Sequence, residues 1–131
     1  MTSPVNGTTA ARSASVVGDI DPMLVLNSLS DVIIAVGEEN IVCYVNHAAE
    51  QLFEAGASGI VGHSLDKHIM PDNPLFFMIK KSRQDGASCA ERGIRIDGPR
   101  LTEREMAVQS QPLFDGSALV VLSLHEQTLA R

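Results

Sequence analysis

The chain has no tryptophan and a single tyrosine, Tyr44, in 131 residues. It therefore lacks the row of aromatic faces on which single-stranded nucleic acid stacks. Ten Lys and Arg stand against sixteen Asp and Glu, for a formal charge of −6, and the basic residues form no cluster. Nucleic acid and anionic membrane surfaces are accordingly excluded as main partners. No apolar run approaches the roughly 18 residues of a spanning helix, and the first residues lack the apolar core of a secretory signal. Cysteine is scarce too. Cys43 and Cys89 sit in apolar, strand-like contexts, too few for a disulfide framework and suited to core packing in a reduced compartment. The expected location is the cytoplasm.

Catalytic and metal signatures are equally thin. His47, His63, His68 and His125 with Cys43 and Cys89 form neither an i, i+4 histidine pair nor a Cys-x-x-Cys knuckle, so no metal site is expected. A small isomerase or hydratase would need an acid/base pair in a pocket. Asp31 and His68 are the residues such a reading would test, and the strand faces offer no Asp/His dyad. What remains is the pattern of a folded module, and 131 residues suffice for one core.

Residues 1–20, rich in Ser, Thr, Ala and Gly, read as a flexible tail. Asp21-Pro22 opens a short helix to Leu29, with Val25, Leu26 and Leu29 on one face. Val32–Val36 and Ile41–Val45 are β-branched runs joined by the turn Gly37-Glu38-Glu39-Asn40. Both are apolar at nearly every position, which predicts strands covered on both faces. Asn46 caps a helix with Ala49, Leu52 and Phe53 on one side, and Gly56 is placed to end it. One helical turn is expected at Leu65–Ile69. Asn73 or Asp72 caps a further helix from Pro74, carrying Leu75, Met78 and Ile79 inward and ending in Lys80, Lys81 and Arg83. Three strands follow, Ser88–Ile96, Leu101–Leu113 and Ala118–Leu124, separated by Asp97-Gly98-Pro99 and Asp115-Gly116. Strands segregated from helices in this way imply an α+β domain with one antiparallel sheet.

The first hairpin, Tyr44-Val45-Asn46 entering a helix, Ala48-Ala49-Glu50-Gln51-Leu52-Phe53, Gly62-His63-Ser64-Leu65 and the three closing strands together resemble a PAS domain over about residues 21–127. That resemblance implies a five-stranded antiparallel sheet in the order 2-1-5-4-3, with short helices across one face. More narrowly, Val25-Leu26-Asn27-Ser28-Leu29-Ser30-Asp31, the hairpin, and Asn46-His47-Ala48-Ala49-Glu50 are similar to the sensor region of NtrB-type nitrogen-regulation histidine kinases. Membership would imply a cytoplasmic homodimer whose kinase core acts on a response regulator under PII control. The chain itself lacks a phospho-accepting motif: His125-Glu126 is followed by Gln127-Thr128-Leu129, without the basic residue and proline. No ATP-binding module is present. A non-catalytic sensor and dimerisation domain is therefore expected, with a ligand-reading PAS domain coupled to another effector as the alternative.

The resemblance also locates sites. A pocket between sheet and helices would be lined by Ile34, Leu52, Phe53, Ile69, Phe76, Phe77, Ile79, Met106, Val108 and Val120, with Arg104 at its mouth or in solvent. The default is a core filled by side chains. No haem or flavin is expected, because the helix Pro74–Gln84 has no His and neither Cys lies in an Asn-Cys-Arg-Phe-Leu-Gln segment; His68 is the weak haem candidate. Asn46 is read as a structural cap. Val25, Leu26, Leu29, Leu119 and Val121 form the expected dimer surface, with the 22–29 helix covering the outer sheet face. His125 onward, and residues 128–131 in particular, would begin an output helix.

Overall fold

A computed structural model describes residues 21–113 and 117–126. Helix α1 is Pro22–Ser28, started by the Asp21 carbonyl, which accepts from Leu24 and Val25 N–H. Strand β1 (Val32–Val36) and strand β2 (Val42–Val45) flank a 3-10 turn at Glu38–Asn40. Glu39 and Asn40 take left-handed φ of 57° and 59° there, a conformation that asparagine tolerates in turns and that is uncommon for glutamate. The Arg83 guanidinium holds that turn from outside, donating to the Gly37 and Ala118 carbonyls and to Asn40 Oδ1.

Helix α2 is His47–Phe53. It stops before Gly56, where a glycine terminator was expected. Glu54 takes the left-handed cap instead, at φ 53°, and Glu50 Oε2 accepts from Ala57 N–H at 2.7 Å, drawing the chain into a 3-10 turn at Ala57–Gly59. A second such turn is Leu65–Lys67. Helix α3 (Pro74–Asp85) begins as expected, with Asn73 Oδ1 accepting from Leu75 N–H, and runs two residues past Arg83 to a left-handed Gly86. Strands β3 (Cys89–Gly98), β4 (Leu101–Pro112) and β5 (Val120–Glu126) complete the chain.

The five strands form one antiparallel sheet in the order β2-β1-β5-β4-β3. Register explains which side chains face the helices. Ile34 lies opposite Leu122 and Val36 opposite Val120, so Val32, Ile34, Val36, Val120, Leu122 and Leu124 all point inward and are buried. Ala49, Leu52 and Phe53 of α2 and Leu75, Met78 and Ile79 of α3 close over them, with Ile60, Leu65 and Ile69 from the connecting turns. Burying each such side chain contributes about 1.5–3 kcal/mol. Within this apolar layer the Ser82 and Ser110 hydroxyls bond each other at 2.5 Å and tie α3 to β4.

The opposite sheet face is less covered than the sequence suggested. Ile33, Ala35, Val121 and Ser123 are only half-buried. Helix α1 does not lie across them; its main neighbour is α2. Two hydrogen bonds set that position, Asn46 Nδ2 to the Leu26 carbonyl and His47 N–H to Asn27 Oδ1. Leu24, Val25 and Leu29 are left exposed at 69%, 47% and 43%. His125 and Glu126 belong to β5, paired with Ala107 and Met106, and do not begin a helix. The expected tail at 1–20 and the residues 127–131 lie outside the described residues.

Candidate functional site

Asn46 is fully buried and uses every hydrogen-bonding position of its amide. Oδ1 accepts from Ile33 N–H at 3.0 Å and from Ala49 N–H at 3.1 Å. Nδ2 donates to the Leu26 carbonyl at 3.1 Å and the Asp31 carbonyl at 2.9 Å. One side chain thus joins α1, the α1–β1 link, β1 and the α2 terminus. The sequence reading as a cap covers one of these four bonds. The other three come from segments 13 to 20 residues away and leave no local signal.

The space between sheet and helices is filled. Ile34, Phe53, Ile69, Ile79, Met106, Val108 and Val120 have 2% exposure or less, and Leu52 has 7%. Phe76 packs partly against this core, but Phe77 is 68% exposed and lines nothing inside. On α3, Leu75, Met78 and Ile79 already define the inward face, so the adjacent Phe77 must point away. Arg104 lies at the sheet end, half-exposed, with Nη1 3.3 Å from Glu126 Oε2. There it borders a half-open cleft of about 480 Å³ that also includes Asp31, Leu52, Met106, Leu124 and Glu126.

His68 is in a different place, tilted against Phe53 with ring centroids 5.4 Å apart. Burial is the main cause holding its pKa below the usual 6.5; repulsion from His63, Arg100 and Lys67 adds to this, and a hydrogen bond to the Gly59 backbone opposes it. Asp31 and His68 therefore line separate cavities and make no dyad. Tyr44 is pushed up by burial and by the Glu50 carboxylate, and its hydroxyl is buried without a partner in the described structure. Cys43 is exposed rather than packed in the core. Ala35 pairs with Tyr44 and Val36 with Val42, so a bulge leaves Cys43 as the extra residue. Cys89 is half-buried at the start of β3. Among the described residues no three His, Cys, Asp or Glu converge on a metal-sized site.

The expected interface residues are spread out. Val25 and Leu29 are exposed, whereas Leu26, Leu119 and Val121 are half-buried. Leu119 borders Gly37 at one end of β1, and α1 meets Asn46 at the other. Five extended residues, about 17 Å, separate the two ends.

A sheet in the order 2-1-5-4-3, with the helices of the β2–β3 crossover packed on one face, is the PAS architecture expected from the sequence. A sequence profile of the PAS fold matches residues 21–126, and the chain belongs to the PAS family. It is 30% identical over 112 residues to the sensory histidine kinase/phosphatase NtrB of Azospirillum brasilense, a match covering 86% of this chain and 28% of that protein. The PAS domain of nitrogen regulation protein NR(II) from Vibrio parahaemolyticus superposes with a TM-score of 0.67 at 21% identity, over 81% of this chain and 97% of that one. A PAS domain from Colwellia psychrerythraea gives 0.69 at 10% identity, over 82% and 94%. The chain spans little more than a quarter of the NtrB sequence. What the comparisons show for this chain is a PAS domain whose sequence is similar to part of NtrB.

Proposed function

We propose that this chain is the sensor and dimerisation domain of a cytoplasmic nitrogen-regulation histidine kinase, and that it performs no catalysis itself. The likeness to NtrB along 86% of the chain carries the reading. In this role two copies join through the outer sheet face and α1, holding paired kinase cores together. The response regulator and PII protein engage those cores rather than this domain. The half-exposed Ile33, Ala35, Leu119 and Val121, with the exposed Val25 and Leu29, supply the apolar surface such a contact uses. No helix among the described residues is long and apolar enough to cross a membrane, which is compatible with a cytoplasmic location.

Sedimentation equilibrium at micromolar concentration tests this. The expected result is a dimer that Val121→Asp converts to monomer with little change in the circular dichroism spectrum. A monomeric wild-type domain would overturn the dimerisation role. The alternative, a PAS domain that reads a ligand for another effector, draws support from the cleft beside Arg104. A co-purified small molecule seen by native mass spectrometry, or a visible absorption band, would favour it.

A further inference from the structure

A second, smaller cavity has an unusual lining for so acidic a protein. Its volume is about 140 Å³, and its walls are Phe53, Lys67, His68, Pro99, Arg100 and Leu101. Half of these residues are basic, against a net charge of −6 for the chain. Lys67 and Arg100 come from turns 33 residues apart, the first from Leu65–Lys67 and the second from the β3–β4 connection. Three features hold those turns together. Gly98 packs against the His68 carbonyl so closely that a Cβ there would overlap it. Met70 N–H donates to the Asp97 carbonyl at 3.0 Å. Asn73 Nδ2 donates to the Arg95 carbonyl and to Asp97 Oδ1. Phe53 forms the floor under the His68 ring.

Neither Lys67 nor Arg100 has a carboxylate within 4.0 Å among the described residues, although Arg95, Arg104 and Lys81 each do. The charged groups acting on His68 are His63, Arg100 and Lys67, all basic. The site thus brings the Lys67 and Arg100 cations together on a fixed base, with no ion-pair partner within 4.0 Å among the described residues. Its volume of about 140 Å³ leaves room for one small oxyanion.

We infer that this cavity binds a small oxyanion, either free or as the phosphate or carboxylate end of a metabolite. Lys67 and Arg100 provide the charge and the donors, and His68 takes up a proton as the anion enters. Binding therefore strengthens as pH falls through the His68 titration. The site lies apart from the outer sheet face and does not rest on the kinase reading.

The test is proton NMR of the histidine rings during titration with inorganic phosphate and, separately, succinate, with potassium chloride holding ionic strength constant. Saturable displacement of the His68 resonances and an upward move of its pKa are expected, while His47 and His125 follow the chloride control. Lys67→Ala with Arg100→Ala, at two exposed positions, should weaken binding at least about tenfold. A response to phosphate alone assigns a phosphate group, and a response to succinate alone a carboxylate. Phosphate and succinate effects no larger than that of chloride would overturn the inference. So would undiminished saturation in the folded double variant.

Discussion

Replacing Asn46 separates a capping residue from a tertiary clamp. Asn46→Ala removes four hydrogen bonds from a fully buried position and leaves the Ile33 amide without its side-chain acceptor, while Ala49 N–H keeps only the Asn46 backbone carbonyl. An N-cap alone is worth about 0.5–2 kcal/mol, and each buried donor left unsatisfied costs about 1–3 kcal/mol. With the Leu26 and Asp31 carbonyls partly rehydrated, the loss should total about 3–5 kcal/mol, a large part of the 5–15 kcal/mol typical of a domain. Asn46→Asp is more diagnostic. Aspartate keeps both acceptor functions and is as good a cap as asparagine, so a purely capping role predicts near wild-type stability. In the clamp it sets a carboxylate oxygen against two carbonyl oxygens in place of the two donated bonds. The folded-state pKa of that carboxyl is then raised above the unfolded value of about 3.9. The charge-dependent penalty is absent below that pH, where the acid is protonated in both states, and grows as pH rises through the folded pKa. Urea unfolding followed by circular dichroism at several pH values measures both variants. A loss below about 1 kcal/mol for the alanine variant, with an aspartate variant as stable as wild type at pH 7, would refute the clamp.

Two further outcomes follow from close packing and titration. Gly98→Ala should destabilise the domain by about 2–4 kcal/mol, because the methyl meets the His68 backbone carbonyl rather than a movable side chain; a thermal midpoint unchanged from wild type would contradict the close approach. His68 is held below its ordinary pKa chiefly by burial, so the unfolded chain takes up its proton first as pH falls. Its contribution to stability is full above about pH 6.5 and declines as pH falls below that value. Denaturation curves between pH 5 and 8 should show this slope in wild type and a shallower one in His68→Gln.

Much of the architecture was legible because apolar periodicity and cap chemistry are local. The β1 strand, the Asn46 and Asn73 caps and the inward residues of α3 all follow from neighbours in sequence. Errors arose where a long-range partner decided. Gly56 looked like a helix stop, but the Glu50 carboxylate engages Ala57 and ends α2 earlier. Cys43 looked like core until the β1–β2 register made it the extra residue of a bulge. Phe77 stands beside Phe76 as a candidate pocket residue in the sequence, but Leu75, Met78 and Ile79 turn the opposite face of α3 to the sheet and leave Phe77 exposed. Arg104 gave no sign of its partner, which lies 22 residues on in the neighbouring strand.

By itself the sequence determined the class of fold, because strand alternation, helix periodicity and turn residues are each set within a few positions, and their order admits one antiparallel sheet. Only the tertiary structure decided that Asn46 joins four segments, that α1 rests on α2 rather than across the sheet, and that Lys67, His68 and Arg100 meet around one cavity. Those arrangements depend on hydrogen bonds and close contacts between residues tens of positions apart, and such pairings are fixed by register and packing rather than by local preference.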